Sequence, residues 1–249
     1  MKLQNKLIFA VGAVVLSSAV SATSLDLRQE FKEKFIDGEK QMTYASRLKL
    51  GDSFVPFESV KALKYKVSME MKFDSAESEE FYRDTYLTET ELGLEMAYKI
   101  GNWSLEPGMP ISFASSKMTF KPQFKAGYTF KKAGVNTALR ARYEIRDEED
   151  DAKNYRAVKI TWTGKVKIPY DKNIKFGWEG NYSRKTSGYN ADSDVTNGTP
   201  HFYDFGIIVG YQLGNWRPYA EVWTIDDEET GKTTTQRQAK YRVGINYKW

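Results

Sequence analysis

The last eleven residues of the chain alternate strictly between apolar and polar side chains. Apolar or aromatic residues occupy every second position, at Ala239, Tyr241, Val243, Ile245, Tyr247 and Trp249. Polar residues and a glycine stand between them, at Lys240, Arg242, Gly244, Asn246 and Lys248. Because successive side chains of a β-strand point to opposite faces, one face of this strand suits lipid and the other suits water. The pattern predicts a strand of a transmembrane β-barrel.

Alternating segments of this kind recur along the whole chain. Each is about 10 residues long or longer, close to the length that a tilted transmembrane strand requires. We count about twelve such segments. Divided among twelve strands, residues 23–249 provide about 19 residues for each strand and its connection, which leaves room for loops of modest length. The alternation is least regular in the second, fifth and eighth to eleventh strands. Pro107 and Pro110 each remove a backbone donor, so we expect a bulge or an early strand end there.

The connections between these segments fall into two groups. Short turns rich in glycine and asparagine lie at 101–102, 131–134, 171–173 and 214–215. Longer polar loops alternate with them, at 74–84, 147–154, 186–200 and 226–234. Bacterial barrels have short periplasmic turns and long extracellular loops, which places both termini in the periplasm and makes the strand number even. The predicted fold is therefore an all-β, antiparallel transmembrane barrel of about 12 strands.

The first 22 residues have the composition of a secretory leader. Two lysines, Lys2 and Lys6, precede an uncharged run from Leu7 to Leu16, and small residues end at Ala22. This order is typical of a cleaved signal peptide, and the run is too short to span a bilayer as a helix. We expect residues 1–22 to be removed and residues 23–249 to form the barrel. Removal takes away two lysines and no acid, which lowers the formal net charge from +4 to +2.

Basic residues dominate the face of the strands that is predicted to point into the barrel, and inward acids are roughly half as many. Lys and Arg in a narrow, low-dielectric pore favour anions. The alternative is that inward charges pair across strands and only fill the barrel. We predict a substrate path along the basic residues Arg28, Arg47, Lys49, Lys66, Lys121, Lys125, Arg140, Arg142, Lys159 and Arg242. Arginine binds carboxylates through two parallel hydrogen bonds, which favours Arg28, Arg140, Arg142 and Arg242 for direct contact.

Other classes of protein fit these features less well. An outer-membrane hydrolase would need a histidine beside a nucleophile, but His201 is the single histidine and no Gly-x-Ser-x-Gly motif is present. Nucleic-acid binding is not expected, because the basic residues line an inner face rather than an exposed stripe. A non-conducting structural barrel remains an alternative. We expect no catalytic residue, no metal site and no cofactor. Tyr219 and Trp223 are candidate sugar platforms if they point inward.

Several segments together resemble the oligogalacturonate-specific porin family of KdgM type. The resemblance covers essentially the whole chain after residue 22 and depends on the order and spacing of the segments. They are Ser24 to Arg28 with Glu30, Leu105 to Gly108, Lys121 to Ala126, Leu139 to Tyr143, Trp216 to Glu221 and Tyr241 to Tyr247. One departure is Trp249, because such proteins usually end in Phe.

The resemblance implies a function, a location and partners. The family comprises monomeric twelve-stranded channels of the Gram-negative outer membrane, including a sialic-acid porin, and implies passive diffusion of acidic oligosaccharides along basic tracks. Oligogalacturonate is the expected solute, with sialic acid and alginate oligomers as alternatives within the family. Expected partners are outer-membrane lipid, lipopolysaccharide and the barrel-assembly machinery, which would read the aromatic C-terminal strand.

Overall fold

A computed structural model describes residues 24–36, 39–75, 84–148, 155–187, 201–226 and 237–249. The predicted leader, 1–22, and large parts of the predicted long loops lie outside these ranges. Within them the chain is a succession of β-strands with one short 3-10 turn, Glu58–Val60. The segments are β1 Ser24–Ile36, β2 Glu39–Phe54, β3 Leu63–Ser75, β4 Thr85–Ile100, β5 Trp103–Gly108, β6 Ile111–Phe113, β7 Lys117–Phe120, β8 Gln123–Phe130, β9 Val135–Glu148, β10 Tyr155–Lys167, β11 Ile174–Ser187, β12 His201–Tyr211, β13 Trp216–Ile225 and β14 Gln238–Lys248.

All segments belong to one antiparallel sheet that closes on itself. β1 pairs with β2 on one side and with β14 on the other, where Glu30 lies opposite Arg242. β9 and β10 also pair, which leaves no open edge between the two halves of the sheet. β5 and β6 continue one barrel strand, and β7 and β8 continue the next, so the fourteen described segments form twelve barrel strands. The prediction of a twelve-stranded antiparallel barrel is confirmed.

Two neighbouring barrel strands are interrupted at prolines. β5 ends before Met109 and Pro110, and β7 ends before Lys121 and Pro122. Proline has no backbone N–H and cannot continue the ladder on that side. Across the gap, the Lys121 N–H donates to the Pro110 carbonyl and the Tyr143 N–H donates to the Pro122 carbonyl, both at 2.9 Å. The expected strand end near Pro107 and Pro110 is confirmed, and the wall stays closed despite it.

The strand bounds agree closely with those predicted from alternation. Alternation predicts strands at 43–50, 155–167, 203–213 and 216–225. β10 and β13 have the bounds predicted for them, while β2 is longer at both ends and β12 begins and ends two residues earlier, at His201 and Tyr211. Apolar side chains on the outer face are largely exposed, as Val222 at 57% and Val243 at 50% illustrate. Buried side chains of the described residues include Glu30, Thr161 and Glu221. The interior is therefore polar, as expected where the outer face contacts lipid.

Three short turns use a glycine with positive φ. Gly101, Gly134 and Gly214 have φ angles of 59°, 64° and 57°. These angles lie in the left-handed region, which glycine adopts without a steric cost. The three turns lie at the end of the barrel that also holds Ser24 and Lys248, because all described strands alternate in direction. We call this the turn end and the opposite one the loop end.

Large aromatic side chains lie over glycines on adjacent strands. Trp223 of β13 lies opposite Gly206 of β12, and Tyr219 lies opposite Gly244 of β14. A Cβ added to either glycine would overlap the facing ring. Such pairing compensates for the poor strand propensity of glycine and pins the register. Among the described residues, no helix is long and apolar enough to cross a membrane.

Candidate functional site in the lumen

The lumen contains two adjoining chambers. The chamber toward the loop end has a volume of about 540 Å³, and the chamber toward the turn end has a volume of about 750 Å³. Five residues line both chambers and mark the level at which they meet: Arg28, Arg140, Glu179, Ile208 and Glu221. We call these the loop-end chamber and the turn-end chamber. Both are bounded mainly by charged and polar side chains, which the inward face of the alternating strands supplies.

The predicted basic residues are distributed over these chambers. Those that line the loop-end chamber are Arg28, Arg47, Lys49, Lys121, Arg140, Arg142, Lys159 and Arg242. Lys125 lines the turn-end chamber together with Arg28 and Arg140. Lys66 reaches that chamber indirectly, because it binds Glu106 on its wall. The structure thus brings the ten side chains to one continuous inner surface.

Most of these cations have a carboxylate within ion-pair distance. Four such pairs are Arg47 with Glu70 at 2.7 Å, Lys49 with Glu70 at 3.6 Å, Arg142 with Glu144 at 3.7 Å and Arg28 with Asp26 at 3.8 Å. Each of these pairs joins residues on the same or neighbouring strands. Pairing across the lumen wall, which the sequence left open as an alternative, therefore occurs at many positions.

Glu106 lies between two lysines that come from different parts of the wall. Its Oε2 accepts from Lys66 Nζ at 2.8 Å and from Lys125 Nζ at 2.9 Å. Lys66 belongs to β3 and Lys125 to β8, whereas Glu106 belongs to β5. The carboxylate side chain is only 9% exposed. One buried acid therefore holds two basic side chains against the wall, with a net charge of +1.

Lys121 has a similar role at the interrupted strands. Its Nζ lies 2.7 Å from Glu91 Oε2 and 3.2 Å from Glu89 Oε1, and it also donates to the Ser112 hydroxyl. Its side chain is 12% exposed. Because β7 has ended at this point, the ammonium group is free to turn into the wall and neutralise β4 carboxylates. Lys121 links the β6–β7 hairpin to the rest of the barrel.

The most enclosed ion cluster lies where the barrel closes, between β1, β13 and β14. Arg242 donates from Nε to Glu30 at 2.6 Å and from Nη1 to Glu221 at 3.1 Å. The indole N–H of Trp223 donates to the same Glu221 oxygen at 2.7 Å. Side-chain exposure is 10% for Arg242 and Glu30 and 8% for Glu221. A guanidinium so held contributes to closure more than to contact with a solute.

Two predicted path residues differ from the rest. Among the described residues, neither Arg140 nor Lys159 has a carboxylate within 4 Å, and Arg140 donates to the neutral hydroxyl of Thr161 at 3.1 Å. Lys240 shares this property, and its Nζ lies 4.7 Å from the ring centre of Trp223. All three line the loop-end chamber, and Arg140 also lines the turn-end chamber. They are the cations of the loop-end chamber that have no described carboxylate within 4 Å.

The inward aromatic side chains are not open platforms. Trp223 points inward and is 4% exposed, with Gly206 against one side of it and Lys240 and Arg242 over its ring. Tyr219 points inward as well, and its hydroxyl donates to Asp26 at 2.8 Å. The expectation of inward faces is correct for both. Trp223, however, has no free ring face on which a sugar could stack.

His201 has a structural environment rather than a catalytic one. Its Nδ1 lies 2.7 Å from the Tyr182 hydroxyl, and the two rings stack with centroids 5.7 Å apart. Both residues lie on the outer face, since Glu179 and Asn181 of the same strand line the lumen. No described contact brings a serine to this imidazole. The position agrees with a channel rather than a hydrolase.

Sequence reasoning found the lumen cations but not their individual partners. Glu106 and Glu221, which organise two clusters, were not distinguished from other inward acids. The register contains part of the signal, because Glu221 lies directly opposite Arg242 in the pairing of β13 with β14. The link from Lys66 to Glu106 spans β4 and does not appear in any pair of neighbouring strands. It depends on long side chains that reach across the chamber wall.

Comparisons with known proteins agree with this architecture. A family model described as oligogalacturonate-specific porin protein (KdgM) matches residues 16–249. The oligogalacturonate-specific porin KdgM of Dickeya dadantii (strain 3937) is 28% identical over 253 residues, which cover 97% of each chain.

Two solved structures share the fold. The NanC porin superposes with a TM-score of 0.69 at 18% identity, over 90% of this chain and all of that one. A KdgM porin in complex with disordered oligogalacturonate gives a TM-score of 0.60 at 20% identity, over 91% of this chain and 99% of that one. These relatives are named as porins and not as enzymes. With its closed barrel, its charged lumen and a family match over nearly its whole length, the chain belongs to the KdgM family of outer-membrane porins.

Proposed function

We propose that this porin conducts oligogalacturonate, or closely similar uronic-acid oligomers, by passive and anion-selective diffusion. The observation that supports the proposal is the group of cations in the loop-end chamber that have no described carboxylate within 4 Å, Arg140, Lys159 and Lys240. A polyuronate has one carboxylate on each sugar ring. The carboxylates of successive rings can therefore bind these cations one after another, each giving up bound water as it does so. Conduction through a pore with several binding sites requires such stepwise binding.

The remaining predicted path residues supply a basic surface whose charge is partly balanced. Arg28, Arg47, Lys49, Lys66, Lys121, Lys125, Arg142 and Arg242 each share a carboxylate with the wall. In the proposed path they make the electrostatic potential of the lumen more positive and hold the carboxylates of the wall in place. Arg140 and Lys159 make the closest contacts to the solute. Arginine at position 140 can offer two parallel donors to a carboxylate. No step of this mechanism involves bond making or a cofactor.

The proposal extends to biogenesis and surroundings. Residues 1–22 would direct export and be cleaved before Thr23, and residues 23–249 would form the barrel domain. The assembly machinery would recognise the C-terminal strand with its aromatic side chains Tyr247 and Trp249. Outer-membrane phospholipid and lipopolysaccharide would cover the apolar outer face. The barrel would act as a monomer, as the family resemblance implies.

Liposome swelling tests the proposed solute. Proteoliposomes receive potassium trigalacturonate, potassium salts of an alginate trimer or of sialic acid, or neutral maltotriose, with valinomycin present so that potassium can follow the anion. We expect trigalacturonate to enter faster than maltotriose. Faster entry of the alginate trimer or of sialic acid would replace the proposed solute by that sugar. Equal slow rates for all four, in protein shown to be folded, would favour a non-conducting barrel.

A matched pair of double variants links the swelling rate to the lumen. Arg140→Gln with Lys159→Gln removes two cations without a described carboxylate partner. Lys131→Gln with Lys132→Gln removes two exposed charges from a turn outside the lumen. We expect only the first pair to slow trigalacturonate, with maltotriose entry unchanged. Equal slowing by both pairs would contradict the assigned path.

A further inference from the structure

Two arginines face the membrane near the loop end of the barrel. On β10, Lys159 lines a lumen chamber, so Val158 points outward. Arg184 of β11 lies directly opposite Val158 and shares its outer face. Arg156 of β10 lies opposite Ile145 of β9, whose neighbour Glu144 lines the lumen, so Arg156 also points outward. Both arginines are exposed.

Within the described part of the chain, neither guanidinium is committed to another group. Among the described residues, no ion pair or side-chain hydrogen bond involves the Arg156 or Arg184 side chain. Asp147 is an exposed acid on β9, two positions beyond Ile145, and no described ion pair joins it to Arg156. Arg237, by contrast, lies 3.0 Å from Asp226 and donates to the Tyr203 carbonyl. Arg156 and Arg184 are thus the two exposed arginines of this outer sector that no described carboxylate binds.

An aromatic cluster lies directly beneath Arg184 on the same face. Tyr182 stacks with His201 and lies 5.1 Å from Tyr203, measured between ring centroids. Tyr203 is 50% exposed toward the membrane side. Tyrosines of this kind mark the boundary between hydrocarbon and headgroups. Arg184 follows Tyr182 by two residues, or about 7 Å along a strand, and therefore lies at the level of the headgroups.

The headgroups at this level belong to lipopolysaccharide, because the loop end of an outer-membrane barrel faces the outer leaflet. The lipid A part of lipopolysaccharide carries phosphate groups on its two sugars, at the top of the acyl chains. Guanidinium groups bind phosphate through paired, charge-assisted hydrogen bonds. We propose that Arg156 and Arg184 form a docking site for lipid A phosphate on the β10–β11 sector of the outer face.

The charge pattern of the rim restricts this site to one sector. Elsewhere along the described loop-end rim, Arg237 is bound to Asp226, and outward positions such as Glu33 on β1, Leu87 on β4 and Phe113 on β6 carry acidic or uncharged side chains. One molecule of lipid A would therefore be held in register with β10 and β11, and the remaining contacts would be those of bulk lipid. The two arginines are distinct from the lumen residues, so the site is separate from the proposed transport path.

Native mass spectrometry of the folded, full-length mature barrel tests the site. Diphosphorylated lipid A is titrated against wild type, against Arg156→Gln with Arg184→Gln, and against the turn-end control Lys131→Gln with Lys132→Gln. We expect the double variant Arg156→Gln with Arg184→Gln to bind lipid A about tenfold more weakly than wild type, or weaker still, since charge-assisted hydrogen bonds are lost. The control pair should bind as wild type does. Dephosphorylated lipid A should bind wild type and the arginine variant equally.

Further measurements separate the site from folding and from general lipid affinity. Heat-modifiable mobility on gels reports folding, and Arg156→Lys with Arg184→Lys should retain part of the affinity because charge remains without the guanidinium geometry. Equal adduct formation by wild type and the folded arginine variant would overturn the proposal. So would competition by phosphatidylglycerol as strong as that by lipid A. Single-channel conductance should be unchanged in the arginine variant, so a failure here would leave the transport proposal intact.

Discussion

The lumen contains two kinds of basic residue that carry the same formal charge. Lys125 shares the buried carboxylate of Glu106 with Lys66, whereas Arg140 donates to a neutral threonine hydroxyl. A solute carboxylate that approaches Lys125 must compete with Glu106. One that approaches Arg140 meets no such competitor among the described residues. Recognition of an acidic sugar should therefore depend more on Arg140 than on Lys125.

Block of the channel current by trigalacturonate measures this difference. Arg140→Gln should raise the half-blocking concentration by roughly tenfold, because about one charge-assisted hydrogen bond to the solute is lost. Lys125→Gln should raise it by a smaller factor, since Glu106 keeps Lys66 as its partner. Both variants remove a single positive charge from the lumen, which makes them a matched pair. Equal effects would show that net charge, rather than individual contacts, sets the block.

Arg242 is expected to matter for stability. Arg242→Gln leaves Glu30 and Glu221 facing each other without their common cation, in a region where side chains are about one-tenth exposed. We expect a loss of roughly 1 to 3 kcal/mol in the free energy of unfolding. Urea unfolding in lipid vesicles measures it. In a double-mutant cycle, Glu221→Gln should restore part of the loss, and strict additivity would argue against the coupling.

Inward placement of these residues could be predicted from the sequence, but their partners could not. A period of two assigns Arg140, Arg142 and Arg242 to one face wherever the strand is correctly bounded. Whether a cation meets a carboxylate depends on the stagger of strands and on the reach of long side chains. Lys66 and Glu106, which are two strands apart, show why a linear pattern is insufficient.

At the scale of the strand, register is held by large side chains packed on glycines. Trp223 lies on Gly206 and also donates to Glu221, so its position determines that of the Arg242 cluster. Sequence alternation gave the bounds of β13 without revealing this contact. From the sequence alone, a glycine within a strand indicates only a local loss of strand stability, because the residue opposite it on the neighbouring strand is not known.

Gly206→Ala tests this packing. The added Cβ would overlap the indole of Trp223, so we expect a destabilisation of about 1 to 3 kcal/mol through overpacking. Gly180→Ala on the adjacent strand is the matched control, because its Cβ would make an ordinary 3.5 Å contact with Phe205. The fluorescence spectrum of the barrel should change in the first variant alone. Equal unfolding midpoints for the two variants would contradict the proposed role of Gly206.

The outer face of a strand should tolerate no charge near its middle. Val243 lies in the centre of β14 and is 50% exposed on the side opposite Arg242. Val243→Lys should destabilise the barrel by about 2 to 4 kcal/mol if the position is near the bilayer midplane. Val243→Ala is the control for lost packing. Normal assembly and stability of the lysine variant would show that this face does not contact lipid.

At the scale of the whole molecule, strand number and direction followed from length and alternation. Chain length divided among membrane-spanning strands already favoured twelve, and the prolines at 107 and 110 predicted where one barrel strand is interrupted. The two chambers and their shared level at Arg28, Arg140 and Ile208 could not be predicted in this way. They depend on how inward side chains from opposite walls fill the same space, which involves residues far apart in sequence.

The balance of charges inside the barrel gives the molecule its proposed selectivity. Many lumen cations are paired, and those without a described carboxylate within 4 Å lie in both chambers: Arg140, Lys159 and Lys240 line the loop-end chamber, where an acidic solute would enter, and Lys165, Lys175 and Arg217 line the turn-end chamber. Selectivity for anions should therefore be moderate rather than complete, because many fixed charges cancel locally. High salt should reduce it further through screening.

Reversal potential across a salt gradient, measured on single channels of the refolded barrel with and without trigalacturonate, is the decisive measurement. We expect a reversal potential of the sign for anion preference, and concentration-dependent block on addition of trigalacturonate. A channel that prefers cations would contradict transport of acidic oligosaccharides along this lumen. So would an anion-preferring channel whose current trigalacturonate does not block, in wild type and in Arg140→Gln alike.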